Sequence, residues 1–167
     1  MKLLGAACVA SVLACALPAQ AQQMAVTGAV AYTDILRYDY TGDGKRNRVQ
    51  FWLEFDGHTA SGVEGQPGYQ PAAGTVRYFL KDVDDGTKVL KWRQGLDMAG
   101  APRDTPLPMS NISIEANVAR FEAFGMKWTL TDGGDGHAMD KIVVDDGYKT
   151  KDTKKLYGGD LRIGPVK

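Results

Sequence analysis

The residues best suited to chemistry lie in one short acidic, glycine-rich run, Asp39-Tyr40-Thr41-Gly42-Asp43-Gly44-Lys45-Arg46-Asn47-Arg48-Val49. As such a loop wraps, alternate positions turn inward, and here they carry oxygen. The Asp39 and Asp43 carboxylates, the Thr41 oxygen, the Lys45 carbonyl and the Asn47 amide form a donor set for a hard cation, and Gly44 permits the sharp turn. Calcium held by Asp39, Thr41, Asp43, Lys45 and Asn47 is therefore the expectation for this run.

The motif resembles the D-x-[DNT]-G-D-G loops that bind calcium in extracellular repeats. It departs from an EF-hand, because Gln50 stands where the twelfth position of that loop has a bidentate Glu. Lys45, Arg46 and Arg48 also bring positive charge to the place where a cation would sit. The competing expectation is a polar connection between two strands.

A second run, Asp132-Gly133-Gly134-Asp135-Gly136-His137-Ala138-Met139-Asp140, is spaced irregularly for the same chemistry, and Met139 is no calcium ligand. A tight or bulged hairpin is the better expectation. Asx bonds from Asp132 and Asp135 to nearby backbone N–H groups would explain the acids.

Catalytic chemistry has little to work with. His58 and His137 are the only histidines and both sit in glycine-rich turn contexts. His58 with Ser61 is the one serine–histidine pairing close in sequence, and no Gly-x-Ser-x-Gly elbow accompanies it. Two histidines without H-x-x-x-H spacing make a poor zinc site. Among the acids, Glu54, Glu64, Glu115 and Glu122 have nothing in their surroundings that marks a glycosidase pair. A non-catalytic protein is expected, with a secreted hydrolase as the least favoured alternative. Trp52, Trp92 and Trp128 offer aromatic faces for a sugar, although packing is the commoner use of such residues.

The elements that must position these residues read as strands. In Arg48 to Phe55, the apolar Val49, Phe51, Leu53 and Phe55 alternate with mostly polar neighbours. Thr75 to Lys81 alternates similarly, and Asp84-Asp85-Gly86 supplies the hairpin turn before Val89 to Trp92. Met24 to Tyr32 and Asp34 to Tyr38 form one or two more. Ile112, Ile114, Ala116 and Val118 mark one face of a strand, Phe121 to Phe124 belongs to another, and Met126 to Leu130 continues or follows it. Asp140 to Val144 and Asp160 to Ile163 close the set. No window has a 3.6-residue stripe with caps. The expected fold is all-β, an antiparallel β-sandwich of about 7–10 short strands, Ig-like or jelly-roll-like. The Gly62–Gly74 and Asp97–Ser110 stretches are the long loops.

Lys2, the uncharged Leu3 to Leu17 and the Ala19-Gln20-Ala21 site give residues 1–21 the form of a secretory signal, leaving residues 22–167 as a single domain. The apolar run, about 15 residues, is short of the ~20 that span a bilayer. Val12-Leu13-Ala14-Cys15 resembles a lipobox, the alternative being a lipid anchor at Cys15. Cleavage after Ala21 removes Cys8 and Cys15 and with them any disulfide. The loss of Lys2 leaves 19 basic against 20 acidic side chains, so nucleic acid is not an expected partner.

Several runs together resemble a known family. They are Gly74-Thr75-Val76-Arg77-Tyr78 with Asp82, Asp84 and Gly86; Trp128 to Gly136; Asp140-Lys141-Ile142-Val143-Val144; Asp146-Gly147-Tyr148; and Leu156-Tyr157-Gly158-Gly159-Asp160-Leu161-Arg162-Ile163. They are similar to small secreted β domains of bacterial surface proteins, the post-choice-of-anchor type. The resemblance covers roughly Gly74 to Ile163. It implies an exported β-sandwich, periplasmic or secreted, and brings no catalytic residues to carry over. The resemblance implies no established biochemical role; the expectation for this chain is a structural or adhesive role toward a protein or glycan at the cell surface, with a glycan- or small-ligand-binding module as the alternative.

Overall fold

The computed structural model describes residues 22–31, 35–89, 106–145, 147, 150–154 and 156–166. Residues 1–21 with Cys8 and Cys15, Trp92, and most of the 97–110 stretch lie outside them. The described residues form twelve strands and no helix: β1 Met24–Ala31, β2 Leu36–Tyr38, β3 Asn47–His58, β4 Ala73–Asp82, β5 Lys88–Val89, β6 Leu107–Pro108, β7 Ser110–Glu115, β8 Val118–Ala123, β9 Met126–Thr131, β10 Lys141–Asp145, β11 Thr150–Lys154 and β12 Gly158–Pro165. Two of these, β5 and β6, are only two residues long, which is how the number passes the seven to ten expected.

Alternation decides which residues face inward. On β3 the side chains of Val49, Leu53 and Phe55 are buried, while Arg48, Glu54 and Asp56 point the other way. The paired strand β4 places Val76 and Leu80 on the same buried face, since Phe55 lies opposite Val76 and Phe51 opposite Leu80. Strands β12-β1-β3-β4-β5 form the first antiparallel sheet, with β2 added to β3 and β6 to β4. The second sheet runs β11-β10-β9-β8-β7, each strand beside its neighbour in sequence.

The inner faces of the two sheets meet in one main core. Val26, Val30, Leu53, Phe55 and Val76 come from the first sheet; Ile114, Phe121, Trp128, Leu130, Ile142 and Val144 come from the second. Phe55 meets Phe121 edge-on at 6.0 Å, and Phe121 stacks on Trp128 at 6.2 Å. Trp128 donates its indole N–H to the Ala123 carbonyl at 3.0 Å, so this tryptophan is a satisfied core residue. Burial of a large apolar side chain contributes about 1.5–3 kcal/mol each. The architecture is thus an all-β antiparallel sandwich, as the alternation leads one to expect.

One strand boundary differs from expectation. Ala116 and Val118 do not continue the face of Ile112 and Ile114, because Ala116-Asn117 is the two-residue turn between β7 and β8. Ala116 takes φ 51°, and the Asn117 amide donates to the Asp132 carbonyl at 2.7 Å. A two-residue turn preserves the period of two, so alternation alone runs straight through it. The next turn, Phe124-Gly125, has φ of 57° and 67°, the signs a type I′ hairpin needs, so Met126 to Leu130 follows as a separate strand.

The chain changes sheets at Met109. Its N–H donates to the Gly74 carbonyl at 2.8 Å, and its sulfur sits over Gly57 and Gly74, which face each other across β3 and β4. A Cβ on either glycine would fall 2.9 or 2.8 Å from that sulfur. The missing side chains make the space through which the chain passes.

Candidate functional site: the two acidic loops

The loop from Asp39 to Asn47 is tied first to itself. Asp39 accepts from the N–H of Gly42 at 2.6 Å and of Gly44 at 3.0 Å, and Asp43 accepts from the N–H of Lys45 at 2.9 Å. Gly42 and Gly44 take φ of 79° and 84°, which swings their N–H groups back toward Asp39. Loss of water works against the Asp39 charge, but the donors of Gly42, Gly44 and Thr41 hold its carboxyl below the ordinary value.

Asn47 leaves this group. It stands at the start of β3, and its amide donates to the Tyr40 hydroxyl at 3.2 Å and to Asp82 at 3.0 Å. Asp39, Thr41 and Asp43 thus share hydrogen bonds within the loop, while the Asn47 amide nitrogen ties the end of the loop to Tyr40 and Asp82. The oxygens of Asp39, Thr41, Asp43 and the Lys45 carbonyl suit calcium chemically, and the Asn47 bonds leave from its amide nitrogen, not from the oxygen a cation would use. Among the described residues no group of three His, Asp or Glu side chains gathers in a way that could hold a metal.

Asp82 is the residue that sequence reasoning placed only in a hairpin. It is 1% exposed at the end of β4 and accepts from Tyr40 at 2.9 Å, Asn47 at 3.0 Å and the Asp84 N–H at 2.8 Å. The Asn47 bond is the main reason its carboxyl sits below the usual range; desolvation opposes it, and the N–H of Asp84 and the Tyr40 hydroxyl assist. The same carboxylate raises the Tyr40 phenol. An Arg48–Asp84 ion pair at 3.2 Å and the Val83 N–H to Arg48 carbonyl bond complete the clamp. One buried carboxylate thus locks the Asp39 loop onto the β4–β5 turn.

The second acidic loop, 132–140, joins β9 to β10 and is not a tight hairpin. Its acids reach across to the other sheet. Asp132 accepts from the N–H of Ile163 at 2.8 Å, and Asp140, 5% exposed, accepts from the N–H of Leu161 at 3.1 Å. Both N–H groups lie on the outer side of β12, the edge strand of the first sheet. Pro165, further along that side, has no N–H to offer. Asp140 also accepts from Gly133 at 2.9 Å, and Asp132 from Gly134 at 2.8 Å. Asp132 forms the Asx bond expected of it; Asp135 instead meets Arg162 at 3.0 Å. Arg162 also binds Asp160, which in turn accepts from the Gly136 N–H at 2.8 Å. Carboxylates here do what a neighbouring strand does elsewhere, and they join the two sheets.

The remaining candidates are dispersed. His58 Nδ1 lies 2.9 Å from the Gln23 amide nitrogen and 3.1 Å from the Thr59 carbonyl oxygen, whereas Ser61 pairs through its backbone with Gln70. His58 and Ser61 share no hydrogen bond among the described residues. His137 lies half-buried in the 132–140 loop, with its carbonyl accepting from Asp140 N–H. Trp52 points outward from β3 with the Lys81 ammonium 4.2 Å from its ring centre, so one ring face is taken. The 62–72 stretch turns on itself through Gln66 to Val63 and Tyr69 to Gln66 backbone bonds. No described helix is long and apolar enough to cross a membrane. Comparisons with protein-family models, characterised proteins and solved structures return no match.

Proposed function

We propose that this chain is an exported, non-catalytic β-sandwich with a structural or adhesive role at the bacterial cell surface or in the periplasm, of the post-choice-of-anchor type. The observation that carries the reading is the use made of the acidic loops. Asp82, Asp132 and Asp140 spend their oxygens on N–H donors of the scaffold, and Asp135 and Asp160 spend theirs on Arg162 and Gly136. Acids that brace a fold in this way build a rigid platform. Residues 1–21 would be removed on export. Mass spectrometry of the protein recovered from cells expressing the full chain tests this. A mature chain beginning at Gln22 in the periplasm or medium is expected; a lipidated start at Cys15 would make it an anchored protein, and a full-length cytosolic chain would overturn export.

Calcium belongs to this proposal, with Asp39, Thr41, Asp43, the Lys45 carbonyl and the Asn47 amide oxygen as ligands. Its support is the all-oxygen donor set on a loop already bent by Gly42 and Gly44.

A further inference from the structure

A small hollow opens on the outward face of the first sheet, over β3 and β4. It has a volume of about 210 Å³ and is lined by Glu54, Phe55, Asp56, Thr75, Arg77 and Pro106. It is distinct from both acidic loops. Register places Glu54 opposite Arg77 and Asp56 opposite Thr75, so four polar side chains converge from two paired strands. Rigid strands, rather than a loop, hold them in place.

The hydrogen-bonding capacity of this hollow is partly unspent. Glu54 is satisfied, by Arg77 Nη1 at 3.3 Å and Lys88 at 2.6 Å. Arg77 Nε is buried and has no acceptor among the described residues. Asp56 and the Thr75 hydroxyl likewise bond to none of them. A buried donor left without an acceptor costs about 1–3 kcal/mol, so such a group calls for a partner. A second such donor, Trp52 Nε1, lies on the same outward face two residues before Glu54, about 7 Å along the strand.

We propose that this hollow binds one unit of a neutral saccharide, with the chain of sugars running along β3 toward Trp52. Three observations fix the class. The hollow has a free donor, a free acceptor and a free hydroxyl together, and a sugar hydroxyl both donates and accepts. Its lining charges balance, two carboxylates against Arg77 with Lys88 alongside, so neither an anion nor a cation is favoured. Its volume is below the roughly 300–1,000 Å³ of sites for drug-sized ligands, which suits a single ring. Donors spaced along the strand match acceptors repeated along a chain. The inference rests on the adhesive form of the function proposed above and gives it a ligand.

Titration of the mature, ¹⁵N-labelled protein with cellohexaose, maltohexaose and chitohexaose, read by NMR, tests this. At least one sugar is expected to shift the Arg77 Nε–H and Trp52 Nε1–H signals saturably in the millimolar range. Asp56→Ala and Thr75→Val, both at exposed positions, should weaken that binding at least tenfold while leaving the rest of the spectrum in place. Silence with all three sugars, or equal binding by both variants, overturns the proposal. So does saturation by acetate or methylammonium alone, which would make the hollow an ionic site. None of these failures bears on where the mature chain begins, so the export reading stands or falls separately.

Discussion

Asp140 shows how much a single side chain can hold in this molecule. Its two oxygens serve Gly133 in its own loop and Leu161 on the opposite sheet. Asp140→Ala leaves both N–H groups without a partner, and the expected loss is about 2–5 kcal/mol in urea unfolding. Asp140→Asn keeps one carbonyl acceptor and should lose less. Asp82 works through its charge. Its folded pKa lies below the unfolded value, so its contribution is fully present above the unfolded value near 4 and disappears as the pH falls through the lower folded value. Thermal melts should therefore show a steep loss of stability on acidification below about pH 4, and Asp82→Asn should flatten that limb while lowering stability at neutral pH. A steep limb that Asp82→Asn leaves unchanged would assign it to other carboxylates. Neither role was legible from spacing. A carboxylate's long-range partner is a backbone group with no sequence signature, and Leu161 and Ile163 give no hint that their N–H groups are open. The Asx bond of Asp132 was legible because its partner, Gly134, is two residues away.

At the scale of the element, strands were the most readable feature, since burial on one face forces alternation on β3, β4, β9 and β10. Where alternation failed, as at Ala116, the turn itself kept the period. Gly28 is a different case, an element-level requirement hidden inside a strand. It takes φ 128° between Phe55 and Leu161, and a Cβ there would lie 2.2 Å from the Asp160 carbonyl oxygen. Gly28→Ala combines backbone strain with a clash that pushes β12 from β1, so a loss of about 3 kcal/mol or more is expected in urea unfolding. Gly65→Ala has φ 79° but open space around it, and strain alone should cost about 1–2 kcal/mol. Equal losses for the two would remove the close approach from the account. The Asp39 loop supplies another expectation at this scale. Millimolar calcium should raise the melting temperature by several degrees and EDTA should reverse it, with Asp43→Ala abolishing the shift. No shift at millimolar calcium would remove the metal.

Seen whole, a meandering second sheet packs on a first sheet in which the first and last strands pair. The apolar core, the crossing at Met109, the return from β11 to β12 and the acidic strap from 132–140 onto β12 join the two. The fold class was legible in the sequence because it depends on pattern, whereas the joining of the sheets depends on which strands become edges. An unpaired edge invites association with another chain, and the strap closes this one. Asp132→Ala combined with Asp140→Ala should accordingly raise self-association, read by sedimentation velocity. The most direct test is amide hydrogen exchange at Leu161 and Ile163. Both should be strongly protected in the native protein, and both should lose protection selectively in the Asp132→Ala/Asp140→Ala double variant while β3 and β9 amides stay slow. Fast exchange at Leu161 and Ile163 in the native protein, or protection that survives the double substitution, would contradict an acidic loop spent on the scaffold.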